Sequence, residues 1–459
     1  MAQRFRDEYV GADLGDARRS DRLVQLGAAL ATFPAVSFPD ALGDGAQLEA
    51  AYRFFSNPGV KVDAVLEPHH RETTARCEKK ETVVVAHDTT DFVFQGENRQ
   101  GLGRMRGKKE RGFFSHAALG VTSDGWGEPL GVLHLESWTR KERKSKTSKM
   151  SPRKRQKMPD RESTRWLRGV EAVEERLTPG RAIHVMDREA DAYELFAPLV
   201  ADHCRFVIRS TFDRKLADGG KLIDYVDSHD VVVTREVALS KRKRAPFPSQ
   251  RKIHPPRNAR IAKLGLKAVP VTLSRPRDVP ANLPKSLSLH VVIVEEIDPP
   301  QGEPAISWRL YTTEPIETAS DIEFVVDAYR CRWRIEEFFK ALKTGCAIQK
   351  RQLESCHALM NALAVFIPIA WRVLRHRTLA HADGNRPAKT ILTPLQIQIL
   401  RKKSPKKLPR SLSVADALVA VAALGGHLKR NGPPGWITLS RGYEHLLVLE
   451  EGALLAREM

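Results

Sequence analysis

Three acidic residues stand at positions where their side chains could act together. Asp88 and Asp187 each follow a short apolar run, VVVAH and AIHVM, and Glu336 lies in a segment with helical periodicity. We expect both aspartates to end β-strands and to meet at the carboxyl edge of one sheet. Adjacent carboxylates repel each other unless a cation lies between them, and Mg²⁺ accepts such oxygen ligands. A site of this kind can hold two metal ions and break a phosphodiester bond. The alternative is that the aspartates are ordinary helix caps or turn residues.

The segment around Glu336 favours the chemical interpretation. Tyr329, Arg332, Glu336 and Lys343 follow one another at intervals of three, four and seven residues, which places all four on one face of a helix. Arg332 can hold a phosphate through two hydrogen bonds, Lys343 offers a point charge, and Tyr329 offers a hydroxyl. An amphipathic helix with ion pairs on its surface is the alternative. Together with the two aspartates, the pattern points to the cutting and joining of DNA.

The distribution of charge indicates a polyanionic partner. The chain of 459 residues has a formal net charge of +19, and four segments carry 30 of its basic residues but only two acidic ones, leaving a net charge of −9 for the remainder. These segments are 104–111, 140–157, 241–263 and 401–410. Any one of them could be a solvated loop. Four together on an acidic body predict strips of positive charge that bind nucleic acid.

Other kinds of site are not indicated. The five cysteines lack CxxC spacing, which fits a reducing cytoplasm and excludes a disulfide framework. The segment with His69, His70 and Cys77 and the pair Cys356-His357 lack the spacing of a zinc site, so ordinary surface residues are expected there. There is no GxxxxGK[ST] loop, so no nucleotide cofactor is expected. Neither a signal peptide nor an apolar run of about 18 residues is evident, so no membrane partner is expected.

The first part of the chain has helical periodicity. Helices are predicted over 16–32 and about 46–56, and the second ends before the turn Asn57-Pro58-Gly59. We therefore expect a helical N-terminal domain over 1–70. Its first helix carries three arginines that could reach phosphates or could simply face solvent: Arg18, Arg19 and Arg22.

The remainder predicts a mixed α/β fold. From residue 82 the order is β-β-β-α-β-α-β, with a hairpin turn at 123–127 and the first helix over 162–177. This is the order of a ribonuclease-H-like core, in which the first strand lies centrally. We expect that core over 71–211 and 311–375, an inserted β domain over 212–310, and a helical C-terminal region over 376–459.

The motifs resemble those of a known family. Tyr329, Arg332, Glu336 and Lys343 reproduce the Y-x2-R-x3-E-x6-K (YREK) signature of the insertion-sequence-four family of bacterial transposases. The stretches HDTTDF and MDREADAYEL are similar to its two Asp motifs, and further similarity, such as AYRFFSNPGV and ALVAVAALGGHLKR, spans nearly the whole chain. The resemblance implies that Asp88, Asp187 and Glu336 form a D-D-E catalytic triad that binds metal.

The resemblance also implies roles in DNA binding. Arg209, in RFVIRS, would hold DNA near the scissile phosphate, and Trp308 would insert beside a flipped base in a hairpin intermediate. Trp308 as a core residue remains an alternative. The 5′ phosphate of the non-transferred strand would be held by Tyr329, Arg332 and Lys343, with Lys340 adding a basic contact. The arginines of the first helix are implied only as general contacts to transposon ends.

The function implied by the resemblance is that of a cut-and-paste DNA transposase. Such an enzyme binds the end repeats of its transposon, nicks, forms and resolves a hairpin, and transfers 3′ ends into target DNA. It would use two Mg²⁺ ions per active site, with Mn²⁺ as a substitute, and would work on double-stranded DNA as a homodimer joined by the C-terminal region in the bacterial cytoplasm. The alternatives are a DNA-binding regulator without catalysis and a metal nuclease without strand transfer.

Overall fold

The computed structural model describes residues 5–95, 99–105, 110–140, 164–242, 244, 248, 255–382, 384–404, 407–428 and 434–458. Most of the basic segment 140–157, and parts of the other three, lie outside these residues. The expectation of positive strips on the surface is therefore not addressed for those positions.

The N-terminal part is helical, as predicted. A 3₁₀ turn, Phe5–Glu8, precedes four helices: α1 (Ala17–Thr32), α2 (Phe38–Leu42), α3 (Gly45–Ser56) and α4 (Val62–Cys77). The first three begin at Asp16, Ser37 and Asp44, whose side chains accept backbone N–H groups of the first turn. The sequence did not predict α4, which has an internal proline and little amphipathic character.

Within the described residues, ten strands form one mixed sheet, in the order β2-β3-β1-β5-β6-β10-β9-β8-β7 with β4 paired to β3. The strands are β1 (Val83–Phe94), β2 (Gly103–Arg104), β3 (Arg111–Thr122), β4 (Pro129–Trp138), β5 (Ala182–Met186), β6 (Arg205–Arg209), β7 (Val233–Leu239), β8 (Arg260–Ser274), β9 (Ser286–Ile297) and β10 (Ser307–Thr312). The helices α5 (Arg165–Glu174), α6 (Tyr193–Ala201) and α7 (Leu222–Asp227) connect them.

The first strand lies inside the sheet, as the order of elements predicted. β1 pairs antiparallel with β3 and parallel with β5. The predicted hairpin turn joins β3 to β4, and Asp124 Oδ1 accepts the N–H groups of Trp126 and Gly127 within it. The first four residues of β1, Val83–Ala86, and nearly all of β3 are buried, which explains the apolar run VVVA and the many apolar residues of β3.

The segment 212–310 contains the predicted strands, but it does not form a separate sheet. β10 pairs antiparallel with β6 over Leu310–Thr312, and β9, β8 and β7 follow in turn, so this stretch extends the core sheet. The apolar run in β9 reflects this position, because Val291, Val292 and Val294 are fully buried between layers. The alternation of apolar and polar residues predicts strands but not the sheet that they join, so the sequence alone did not decide which sheet contains the strands of 212–310.

Helices return after β10. α8 (Ala319–Cys331) begins at a capping box made by Thr318 and Asp321, and it is followed by α9 (Trp333–Lys340), a π-helical turn (Ala341–Gly345) and a 3₁₀ turn (Ile348–Lys350). α10 (Cys356–Ala382) comes next. The C-terminal helices are α11 (Pro394–Lys403), α12 (Val414–Leu424) and α13 (Trp436–Glu458).

α10 is the central helix of the molecule. Its stretch Cys356–Ala380 is long and apolar enough to cross a membrane, a feature the sequence analysis overlooked, but most of it is buried within the protein. It packs against α1, α3, α4 and β4, and Tyr9 Oη donates a 2.6 Å hydrogen bond to the carbonyl of Val365 in its middle. The N-terminal helices therefore share one hydrophobic core with α10 and the sheet.

Candidate active site

The sheet places Asp88 and Asp187 next to each other. The parallel ladder between β1 and β5 ends with the pair Ala86 and Val185, and each aspartate lies two residues further along its segment. Asp187 follows the last residue of β5 and caps the 3₁₀ turn Arg188–Ala190, where its Oδ1 accepts the N–H of Glu189 at 2.9 Å. The prediction that Asp88 ends its strand is wrong, because antiparallel pairing with β3 carries β1 on to Phe94.

Glu336 enters the same site from α9. The predicted single helix is interrupted at Arg332, between α8 and α9, and again by the π-helical turn. Arg332 bridges two acids from this junction: its Nη2 lies 2.5 Å from Glu336 Oε1, and its Nη1 lies 3.4 Å from Asp88 Oδ2. A carboxylate from β1 and one from α9 thus share a single guanidinium.

The electrostatics connect all three acids. Burial raises the pKa of Asp88 to about 7, and the negative charges of Asp187 and Glu336 act in the same direction, while Arg332 and the Thr89 N–H oppose them. A carboxyl group in this position is easily protonated because two further carboxylates are near and little water reaches it. The structure therefore brings the three predicted acids into one cluster.

Tyr329, Trp308 and Arg209 lie beside this cluster. Tyr329 is buried, which raises the pKa of its hydroxyl, while the positive charges of Arg332 and Arg209 act against this shift. The half-buried indole of Trp308 meets the ring of Tyr329 edge to face, with centroids 5.4 Å apart. Arg209 Nη2 also donates to the carbonyl of Ser307 at 3.3 Å, which ties the end of β6 to the start of β10.

The two lysines of the signature helix differ in their surroundings. Lys343, in the π-helical turn, lies 3.1 Å from Asp91 Oδ1 and above the ring of Phe92 on β1. Lys340, at the end of α9, is exposed. A continuous helical face would not have predicted the contact with Asp91, because the π-helical turn alters the direction of the side chain.

The N-terminal arginines are not brought to the acids. They lie on α1, which packs against α10 and α13. Arg18 has a side chain that is 92% exposed and pairs with Asp16. Arg19 donates to the carbonyl of Leu14 at 3.1 Å, and Arg22 donates to Gln47 Oε1 at 2.5 Å.

The donor set suits a hard divalent cation, although the side chains do not yet surround one point. Among the described residues, no group of three or more His, Cys, Asp or Glu side chains is arranged to hold a metal ion. Arg332 lies between Asp88 and Glu336 instead. Three carboxylates, of which Asp88 has a pKa raised by burial and by the charges of the other two, nevertheless form the kind of oxygen-rich cluster that Mg²⁺ or Mn²⁺ stabilises.

Several further residues surround the acids and were not predicted from the sequence. Arg165 contacts both Thr89 and Glu189, the neighbours of the aspartates. His87 Nε2 lies 2.9 Å from His184 Nδ1 in the buried layer below, and the positions of these histidines in VVVAHD and AIHVMD were the available signal. Trp333, next to Arg332, is 55% exposed, which is unusual for so large an apolar side chain.

Comparison with known families agrees with this geometry. A transposase DNA-binding model matches residues 1–60, and a transposase DDE domain model matches residues 162–366, which include Asp187 and Glu336. The chain therefore contains regions similar to a transposase DNA-binding domain and to a transposase DDE domain. The expectation of a DNA-binding transposase is thereby confirmed, and enzymes with this DDE domain use divalent metal ions. Asp88 precedes the matched DDE region, so its place in the cluster is known from the geometry of β1 and β5.

Among solved structures, the chain is similar to a piggyBac transposase synaptic complex with hairpin DNA. The sequence identity is 8% and the TM-score is 0.37, over 82% of this chain and 75% of the other.

Proposed function

We propose that this DDE transposase is a cut-and-paste enzyme of the insertion-sequence-four family, similar to the transposon Tn-five transposase. It binds the end repeats of its transposon, nicks the DNA, forms and resolves a hairpin, and transfers the 3′ ends into target DNA. The observation that carries the proposal is the convergence of Asp88, Asp187 and Glu336 from β1, the end of β5 and α9 at one edge of the sheet. The YREK spacing around Glu336 supports the choice of family.

The three carboxylates would hold the metal, two Mg²⁺ ions per site with Mn²⁺ as a substitute. When bound, such ions activate a water or a 3′ hydroxyl and stabilise the leaving oxygen. The contribution of the chain is to hold Asp88 and Asp187 side by side at the end of the parallel ladder and to bring Glu336 to them from the helix that follows the sheet.

The basic residues of the signature would bind phosphate by exchanging partners. Arg332 and Lys343 are both paired with carboxylates, Arg332 with Asp88 and Glu336, and Lys343 with Asp91. A phosphate group competes for the same donors, and a guanidinium binds it through two parallel hydrogen bonds. Arg332 would then leave Asp88 and Glu336 when DNA binds.

The aromatic residues would serve the hairpin step. Trp308 is half-buried against Tyr329, so its indole can accept a base on its remaining free surface without leaving its place. Stacking on an aromatic side chain offsets part of the cost of taking a base out of the duplex. Arg209, which donates to the carbonyl of Ser307 next to Trp308, and exposed Lys340 would add basic contacts to the same strand.

The remaining parts of the chain would recognise DNA ends and a second subunit. Residues 1–70 would bind the transposon ends, with Arg18 offering an exposed charge and Arg19 and Arg22 adding general contacts. The core would comprise 71–211 and 311–375, the strands of 212–310 extend its sheet, and 376–459 would join two subunits in a synaptic complex with both ends. We propose that the enzyme acts on bacterial DNA in the cytoplasm.

The test uses isosteric changes at the three acids. Asp88→Asn, Asp187→Asn and Glu336→Gln should each abolish cleavage of DNA carrying the flanking element's own ends in Mg²⁺, while end binding in Ca²⁺ persists. Glu337→Gln is the matched control, because Glu337 is the next residue on α9 and pairs with Arg334 and Arg377. Full cleavage by any triad variant would remove that residue from the site.

The products distinguish the alternatives. Cut ends joined to a second DNA indicate a transposase, whereas cutting without joining indicates a nuclease. Binding of ends with no cutting by the unmodified protein, in Mg²⁺ or Mn²⁺, would indicate a regulator and would overturn the proposal.

A further inference from the structure

A buried arginine connects the two segments that carry the aspartates. Arg165, the first residue of α5, is 8% exposed. Its Nε donates to Thr89 Oγ1 at 2.7 Å, and its Nη2 donates to Glu189 Oε2 at 2.9 Å. Thr89 directly follows Asp88, and the backbone N–H of Glu189 donates to Asp187 Oδ1 at 2.9 Å. The Arg165 guanidinium therefore connects Thr89, which is next to Asp88, with Glu189, whose N–H donates to Asp187.

The contact with Thr89 is fixed on its other side. Thr89 Oγ1 accepts from Arg165 and also shares a hydrogen bond with His116 Nδ1, 3.0 Å away on β3. Burial lowers the pKa of His116 far below its usual value, so the imidazole is neutral and holds the hydroxyl by a hydrogen bond without adding a charge. The N–H of Thr89 donates to Asp88 Oδ1 at 2.7 Å. Thr89 is thus hydrogen-bonded to both Arg165 and Asp88, so the position of Arg165 affects that of the Asp88 carboxylate.

Arg165 connects β1 with the segment after β5 at a point beyond the last hydrogen-bonded pair of the two strands. The parallel hydrogen-bond ladder of β1 and β5 ends at Ala86 and Val185, before either aspartate. Beyond that pair, the repulsion between Asp88 and Asp187 favours a wider separation. Arg165 reaches across this gap through Thr89 and Glu189, and a guanidinium is suited to the task because its donors have fixed directions.

We propose that Arg165 is a positioning residue that sets the spacing of Asp88 and Asp187 for metal binding. The inference rests on the proposed function of these acids as metal ligands. Arg165 holds the residues beside the carboxylates, whereas Arg332 contacts the carboxylates themselves. Removal of Arg165 should therefore weaken metal binding, since residues that orient metal ligands typically contribute about 10- to 100-fold in affinity or activity.

The experiment measures Mn²⁺ binding to the DNA-free, full-length protein by isothermal titration calorimetry, and nicking of end DNA as a function of Mg²⁺ concentration. Arg165→Gln should raise the Mn²⁺ dissociation constant and the half-saturating Mg²⁺ concentration by about 10-fold or more. The maximal rate at saturating Mg²⁺ should fall less. Arg168→Gln is the matched control: Arg168 lies one turn further along α5 and pairs with Glu136 on β4.

Two further variants separate positioning from a loss of packing. Arg165→Lys keeps the charge but not the two directed contacts, so its metal affinity should fall between those of the unmodified protein and Arg165→Gln. Thr89→Val keeps the shape of the side chain and removes the acceptor, so it should reproduce the weaker Mn²⁺ binding even where Arg165→Gln does not fold. Equal Mn²⁺ affinity in Thr89→Val, Arg168→Gln and the unmodified protein would overturn the inference. Absence of Mn²⁺ binding and nicking in the unmodified protein would instead overturn the proposed function.

Discussion

Arg332 Nη2 lies 2.5 Å from Glu336 Oε1, one helical turn away, and the same guanidinium lies 3.4 Å from Asp88. In the DNA-free protein a side-chain cation thus sits between two of the three acids that we propose as metal ligands. It lowers the repulsion within the cluster, but it also competes with a metal ion for the same oxygens. Phosphate binding by Arg332 would remove this competition and so couple metal binding to DNA binding.

Arg332→Gln should therefore strengthen Mn²⁺ binding by the DNA-free protein, opposite to the effect of Arg165→Gln. Loss of one cation next to a divalent ion corresponds to about 1–2 kcal/mol in a partly solvated site, or roughly 5- to 30-fold in affinity. Calorimetric titration with Mn²⁺ measures the change. Arg334→Gln on the same helix is the control, since Arg334 pairs with Glu337 and the carbonyl of Trp126. Weaker Mn²⁺ binding by Arg332→Gln would show that the guanidinium supports the ligands instead of competing with metal.

Asp88→Asn should stabilise the metal-free protein at alkaline pH. The pKa of Asp88 is about 7 in the folded state and about 4 in an unfolded chain, so ionisation costs stability increasingly as the pH rises from 4 to 7. The amide carries no charge and escapes this cost. Because one fifth of the Asp88 side chain is exposed, we expect a gain of about 2–4 kcal/mol in the free energy of unfolding at pH 8 and a smaller gain at pH 5.

Urea unfolding in EDTA at both pH values measures this gain. Asp91→Asn is the control, because Asp91 lies on the same strand with a side chain that is 43% exposed. A gain of the same size at pH 5 and pH 8 would show that ionisation of Asp88 is not its cause.

The sequence revealed the acids because their signals are local. An apolar run followed by Asp marks Asp187 at the end of β5, and helical spacing places Arg332 one turn from Glu336. Whether these acids meet is a matter of strand order, which the β-β-β-α-β-α-β pattern predicted with β1 inside the sheet. Local pattern and topology together therefore predicted the cluster.

The features that the sequence did not predict depend on distant partners. β1 extends past Asp88 only because β3 continues to pair with it, and the strands of 212–310 join the core sheet through β10 and β6. Arg165 carries no local signal, because its partners Thr89 and Glu189 are 76 and 24 residues away. Such contacts are fixed by packing and cannot be deduced from spacing along the chain.

Neutralising the basic residues of 241–244 should weaken end binding and make it less dependent on salt. Each lost phosphate contact should reduce the slope of log affinity against log salt by about 0.9. The four residues are Lys241, Arg242, Lys243 and Arg244, of which Lys243 lies outside the described residues. Fluorescence anisotropy with end DNA between low and physiological salt measures the slope.

The control for this experiment is a pair of lysines away from the acids. Lys79 and Lys80 are exposed and precede the first residue of β1. Asp88 and Asp187 lie at the opposite end of the β1–β5 ladder, beyond its last pair. Lys79→Gln with Lys80→Gln should leave the slope nearly unchanged. An unchanged slope and affinity in the 241–244 variant would show that this strip faces solvent.

Trp308→Ala should slow hairpin formation or resolution more than the first nick. Nicking does not require a base to leave the stack, whereas a tight hairpin does, and lost stacking of about 1–3 kcal/mol corresponds to a roughly 5- to 150-fold slower hairpin step. Arg332→Ala and Lys343→Ala should share this selectivity, because both would hold the strand that bends. Gel assays that follow nicked, hairpin and double-cut products over time separate the stages.

Trp308→Phe and the thermal stability of the variants distinguish a DNA contact from a structural role. The indole is only half-buried, and its edge-to-face contact with Tyr329 is the kind that a phenyl ring can retain, so Trp308→Phe should keep most of the hairpin rate. Trp308→Ala should lower the melting temperature only slightly, since part of the ring surface is already in water. Equal slowing of every stage together with a large drop in melting temperature would mean that Trp308 supports Tyr329 and Arg332 from within the core and does not contact a flipped base.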